Sequence, residues 1–177
     1  MSAAGVARFL AAVEPLGLRP EIREFDESTH TAAEAAAAIG CEVAAIVKSL
    51  VFEADGAPLL VLASGPNRVD TAALGARLGA VIGKADANVV KAASGYSIGG
   101  VPPLGLLSPM RTVFDETLLA LPVVWAAAGS ATAVFAIEPA ELVRLTGAQV
   151  LPIAWAAIRE LPGPRESSAA PTRTGPS

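Results

Sequence analysis

Histidine and cysteine each occur once in this chain of 177 residues, at His30 and Cys41. A lone cysteine excludes an internal disulfide and suits a reducing compartment. A lone histidine excludes a metal site built on two imidazoles, and Cys41 has no histidine near it in sequence to act as its base. A basic surplus is also lacking: 13 lysines and arginines stand against 17 carboxylates, for a formal charge of −4. Proteins that grip long stretches of nucleic acid carry a basic footprint, so a nucleic-acid substrate here would be touched over a short stretch or delivered by a partner. No basic segment followed by an apolar core opens the chain, so no signal peptide is expected. The charge-free run from Thr117 to Ile137 is interrupted by Pro122 and Gly129-Ser130 and is flanked by Glu116 and Glu138, without a basic anchor. It reads as two short strands around a turn, not as a membrane span. A cytoplasmic location is the resulting expectation.

What the chain does have is apolar material, 53% of residues, with only 17% charged. That suffices for one domain with a sizeable core. From Leu161 onward prolines, glycines, serines and threonines displace any apolar period, so residues 1–160 are read as the folded domain and 161–177 as a disordered tail.

Val6, Phe9, Leu10 and Val13 recur at helical spacing and predict a first helix ending near Gly17. Glu21 to Phe25 alternates like an edge strand. Thr31 and Glu34 form a capping-box pattern for an alanine-rich helix that stops at Gly40. Ile46 to Glu53 is the clearest strand; Asp55-Gly56 turns it, and Pro58 to Ala63 returns. Asp70 and Asp86 sit where helix caps belong, for helices ending by Leu78 and Gly95. Arg111 to Phe114 reads as a strand. Val123 to Ala128 and Ala131 to Ile137 predict a hairpin about Gly129-Ser130, with glycine placed for a type II′ turn. Pro139 opens a last helix that Gly147 closes. Interleaved elements with at least two hairpins point to a mixed α+β domain around a curved sheet.

Two features carry chemistry. Gly95-Tyr96-Ser97-Ile98-Gly99-Gly100-Val101-Pro102-Pro103-Leu104-Gly105 cannot form a regular helix or a central strand. It is either an ordinary surface loop or a backbone cradle that holds a carbonyl or an anion through amides. Lys48 is a lone charge inside the apolar run from Ala44 to Phe52. It either snorkels to the strand edge or reaches a carboxylate, a pocket or an anionic ligand, because an unpaired buried ammonium is costly. Other residues read as structural: His30 as a loop residue, Cys41 as a small buried hydrophobe, Trp125 and Phe135 as core. Gly65-Pro66-Asn67-Arg68 lacks the Gly-Lys-Ser/Thr ending of a phosphate loop.

The ordered set of Ile46-Val47-Lys48-Ser49-Leu50-Val51-Phe52, Asn67-Arg68-Val69-Asp70, Ala85-Asp86 and Gly95 through Gly105 resembles the YbaK/EbsC family. That family comprises free-standing aminoacyl-tRNA deacylases and the editing domain inserted in bacterial prolyl-tRNA synthetases. The resemblance runs from about Val6 to Val150. It implies a partly open barrel with surrounding helices, and a trans-editing hydrolase that cleaves the ester joining a wrong amino acid to the tRNA 3′ end. The residue matching Lys48 contacts the terminal adenosine and its phosphate, and the loop Gly99-Gly100-Val101-Pro102-Pro103 positions the aminoacyl carbonyl and amine. The resemblance thus implies Lys48, Gly99, Gly100, Val101 and Pro103 as the catalytic set. It implies Thr31, His30, Ser49, Ile98, Pro102 and Gly129 as substrate contacts. A water assisted by the substrate's own ribose hydroxyl or amine attacks, without metal or cofactor, and a synthetase is an implied partner in trans. One branch carries Ser-Ala-Gly where this chain has Ala127-Ala128-Gly129, and an acidic residue where it has Val134, so that branch's cysteine specificity does not carry over. The competing class is a non-catalytic module that binds an aminoacyl or nucleotide end, and a third is an esterase for small amino-acid esters.

Overall fold

The computed structural model describes residues 2–154. Eight strands form one mixed sheet: β1 (Ile22–Glu24), β2 (Ile46–Ala54), β3 (Ala57–Ser64), β4 (Ile82–Lys84), β5 (Arg111–Asp115), β6 (Val124–Ala127), β7 (Ala133–Ile137) and β8 (Gln149–Leu151). Their order is β1-β7-β6-β2-β3-β5-β8, with β4 laid against β2. The path ends at β1 and β8, which do not pair with each other, so the sheet is unclosed. Five helices surround it: α1 (Ser2–Val13), α2 (Ala32–Ile39), α3 (Thr71–Leu78), α4 (Ala87–Ser94) and α5 (Pro139–Thr146). This is the α+β architecture that the residue pattern implies.

The β2–β3 hairpin is the spine of the sheet, in register from Val47 opposite Ser64 to Ala54 opposite Ala57. Its turn residues Asp55 (φ 48°) and Gly56 (φ 83°) are both left-handed, as a two-residue type I′ turn requires. Both faces of the hairpin are covered. Val47, Leu60 and Leu62 pack with α1, β7 and the glycine-proline loop. Leu59, Val61 and Ala63 pack on the opposite face with Leu74 of α3 and with Val113 and Ile153. Covering on both sides explains why the two strands read as nearly unbroken apolar runs. Phe9 of α1 meets Phe135 of β7 at 5.0 Å between ring centroids. Such a pair stabilises by about 0.5–1.5 kcal/mol beyond its burial.

The caps form as their spacing predicts. Thr31 Oγ1 accepts from Glu34 N while Glu34 Oε2 accepts from Thr31 N. Asp70 and Asp86 accept from Ala73 N and Val89 N.

Several elements differ from expectation. α1 stops at Val13, and a tight 3-10 turn over Glu14–Leu16 carries the chain on to Gly17. Another 3-10 turn, Glu116–Ala120, opens the charge-free run before its two strands. β4 and β8 are three-residue strands, too short to show alternation. Cys41 is half-buried, packed beside α2 with its thiol pKa raised by burial. The predicted tail lies outside the described residues.

The clearest correction concerns the second hairpin. Ala128 N bonds Ala133 O at 2.9 Å, leaving a four-residue loop from Gly129 to Thr132 and no two-residue type II′ turn. The reason is steric. Gly129 (φ 99°) and Gly5 of α1 press backbone on backbone, so a Cβ on either would collide with the other's main chain. The loop opens to receive the helix. Gly5→Ala is therefore expected to lower stability by about 1–3 kcal/mol, as overpacking does, despite alanine's better helix propensity. Gly83→Ala, where a Cβ meets nothing within 4 Å, is the control and leaves the urea midpoint nearly unchanged.

Candidate functional site

β2 has a split neighbour. β6 pairs with it only at Ile46 and Val47, and β4 only from Phe52 to Ala54. The edge from Lys48 to Val51 is thus left without a strand partner on that side. Two adjoining cavities, about 260 and about 200 Å³, lie along this gap and share Ser49, Leu50, Ile98 and Val101. The larger is below the ~300–1,000 Å³ of drug-sized sites, and so fits a small group.

The structure brings several of the sequence-singled residues to the larger cavity: His30 and Thr31 at the start of α2, Lys48 and Ser49 on β2, and Ile98, Gly99 and Val101 on the loop. Gly100, Pro102, Pro103 and Gly129 do not line it. Pro102 and Pro103 are buried with Val101 and Leu104, and they stiffen the loop from behind. Gly100 N donates to Ser97 O at 3.0 Å, closing a turn in which Gly99 has φ 90°. That is type II geometry. It spends the Gly100 amide internally and holds Ile98 at the turn's tip, 64% exposed. A Cβ on Gly100 would lie 2.8 Å from Ser130 Cα, so the loop is seated directly on the second hairpin. Tyr96 Oη donates to Gly105 O at 3.1 Å and staples the loop's two ends together.

Lys48 does not hang free. Its Nζ donates to the Asn67 carbonyl at 2.6 Å. The Asn67 side chain is itself fixed, because Nδ2 donates to Asp115 Oδ2 at 2.8 Å and lies 3.1 Å from Thr117 Oγ1. Asp115 is fully buried at the end of β5. It also accepts from Ser64 N and Thr117 N, each at 3.0 Å. Burial pushes the Lys48 ammonium below the ordinary lysine range; Asp115 opposes the shift and Arg68 adds to it. A half-buried, partly desolvated cation beside an open cavity is poised for an anionic group.

Ser49 Oγ is buried and has no hydrogen-bond partner among the described residues. A buried hydroxyl that borders a cavity is a natural partner for a ligand. The remaining walls are apolar. Trp125, expected to be core, is half-buried and lines the cavity, as do Ala127 and Val134. His30 is exposed, its Nε2 3.5 Å from Ser28 Oγ, while its amide donates to Glu34. Among the described residues no three His, Cys, Asp or Glu side chains cluster as a metal site would need.

Sequence reasoning missed Asp115 and placed Asn67 in a loop and in a family-like motif without giving it a role. The available signal was a single carboxylate closing the apolar strand Thr112-Val113-Phe114, just before a 3-10 turn that it caps. Asp115→Asn replaces an acceptor oxygen by a donor. It is expected to cost about 1.5–3 kcal/mol in urea unfolding and to speed exchange of the Ser64 and Thr117 amides. Lys48→Met tests the desolvation. Because the folded pKa is lowered, the neutral amine favours the fold above the unfolded value of about 10.4, and this is lost as pH falls through the folded value. The variant should therefore melt above wild type at pH 7, with the gap closing toward pH ~10.4.

Solved structures share this fold. A solved structure described as a candidate trans-editing enzyme for prolyl tRNA synthetase is 42% identical, with a TM-score of 0.81 over 85% of this chain and 96% of that one. The crystal structure of hypothetical protein APE2540 is 31% identical, with a TM-score of 0.77 over 83% of this chain and 99% of that one. The uncharacterized protein YwhH of Bacillus subtilis (strain 168) is 31% identical over 123 residues, 69% of this chain and 78% of its own length. The model of the aminoacyl-tRNA editing domain matches residues 26–145, which span β2, the Asn67 loop, Asp115 and the glycine-proline loop. The chain belongs to the aminoacyl-tRNA editing domain family.

Proposed function

We propose that this domain deacylates mischarged tRNA, hydrolysing the ester between an amino acid and the 3′-terminal ribose. The observation that supports it most is the desolvated Lys48 ammonium, held on Asn67 at the mouth of a small apolar cavity. In this reading Lys48 meets the phosphate of the terminal adenosine. The aminoacyl group enters the cavity, with Gly99 and Val101 as the wall beside its carbonyl and Ser49 Oγ as a polar contact. Thr31, His30 and Ile98 form the rim; Gly100, Pro102, Pro103 and Gly129 hold the wall in place. Water adds to the ester carbonyl, the bond to the ribose oxygen breaks, and that oxygen takes up the proton. The products are the free amino acid and uncharged tRNA. A water hydrogen-bonded to and assisted by the substrate's own ribose hydroxyl or amine suffices if fixed dipoles stabilise the developing charge. A prolyl-tRNA synthetase is the proposed source of the mischarged substrate.

A second reading, binding without turnover, is favoured by one observation. Ala127 and Val134 both face the cavity and bring no polar group to it. A panel of mischarged tRNAs separates the two. Deacylation predicts that at least one ester is cleaved well above the buffer rate, and that Lys48→Ala slows it by about 30-fold or more, the loss of at least about 2 kcal/mol from a buried anion contact. Saturable binding of an aminoacyl-adenosine analogue with no cleavage of any tRNA supports the binding module instead.

A further inference from the structure

A larger cavity, about 360 Å³, adjoins the first and shares Ile98, Ser130 and Ala131 with it. Its lining has no carboxylate, although acids outnumber bases in the chain. It holds two cations from different elements, Arg8 of α1 and Lys91 in the last turn of α4. The hydroxyl residues Ser97, Ser130 and Thr132 stand among them. Arg8 is pre-positioned: its guanidinium donates to the Gly95 carbonyl and lies 5.7 Å from the centroid of the Tyr96 ring. Neither cation forms an ion pair among the described residues. Nothing in the ester-cleaving arrangement uses either residue.

Resting on the proposed function, we infer that this cavity is a phosphodiester subsite that takes the acceptor strand just upstream of the terminal nucleotide. If the aminoacyl ester occupies the first cavity and the terminal adenosine its mouth, the strand must leave past a neighbouring surface. The adjoining cavity offers two cations and donor hydroxyls there, and no like charge to repel a phosphate. Two such contacts also explain how an acidic domain holds a short single strand without a broad basic face.

The test uses the whole protein and three probes: charged tRNA, an aminoacyl-adenosine ester lacking upstream phosphate, and an uncharged CCA trinucleotide. Lys91→Gln is expected to raise KM for charged tRNA about tenfold, as loss of a charge-assisted hydrogen bond does, with kcat and cleavage of the nucleoside ester unchanged. The slope of log affinity for CCA against log salt should fall by about 0.7 per cation removed. Arg8→Gln also loses the Gly95 contact, so Arg8→Lys serves as the charge-keeping rescue. Unchanged CCA affinity and salt slope in the Arg8→Gln, Lys91→Gln double variant would overturn the proposal. So would inorganic phosphate that binds through Lys91 while CCA binding ignores it, since the cavity would then serve a free anion. If no ester is cleaved by the wild type but CCA binding still depends on Lys91, the subsite stands and the deacylase reading falls.

Discussion

A carboxylate with no solvent exposure holds the functional end of this sheet together. Asp115 would be ruinous to bury alone, since an unpaired charge in an apolar interior costs many kcal/mol. Three donors from three segments meet it: the last amide of β3, the side chain of Asn67 and the amide of Thr117. The strand end, the 64–68 loop and the 3-10 turn after β5 are thereby fixed relative to one another. Lys48 hangs on the carbonyl of that same Asn67. The cation's place is consequently set by a charge it does not touch, through one residue that turns a buried anion into an oriented carbonyl.

The other half of the site comes from what the sheet leaves out. β6 departs from β2 after Val47 and β4 joins only at Phe52. The gap forms the cavity, and the glycine-proline loop closes it from outside. Close backbone approaches fix that loop: Gly100 on Ser130, and behind it Gly129 on Gly5. These glycines act through contacts that no side chain would permit, and they line the adjoining larger cavity, not the gap itself. The site is therefore built from positioned dipoles and one desolvated ammonium. Such preorganised groups do their work without reorganising during reaction.

Much of this was legible beforehand because it is local. The Thr31 capping box, the Asp70 and Asp86 caps, the Asp55-Gly56 turn, the apolar β2 and β3 runs and the lone Lys48 are each written in a few adjacent residues. What was not legible depends on residues far apart in sequence. Gly129 reads as a tight-turn glycine until Gly5 is seen against it. Gly100, Pro102 and Pro103 read as parts of one ligand cradle, whereas Pro102 and Pro103 are buried beneath the loop and Gly100 is pressed against Ser130. Asp115 shows its role only when Ser64 and Asn67, about fifty residues earlier, fold back onto it. β4 and β8 exist because their neighbours offer an edge, and their own three residues carry no period.

In the proposed role, the Lys48 ammonium held on Asn67 meets the phosphate of the terminal adenosine of an aminoacyl-tRNA. The most direct measurement is an NMR titration of the Lys48 side-chain amine, with and without a non-hydrolysable aminoacyl-adenosine 5′-phosphate analogue. The free protein should titrate below the ordinary lysine value of about 10.4, and the bound form should titrate higher, because an anion at the amine favours its charged state. A Lys48 amine that titrates at the ordinary value, or whose titration the analogue leaves unmoved while saturating the protein, would rule out this role for Lys48.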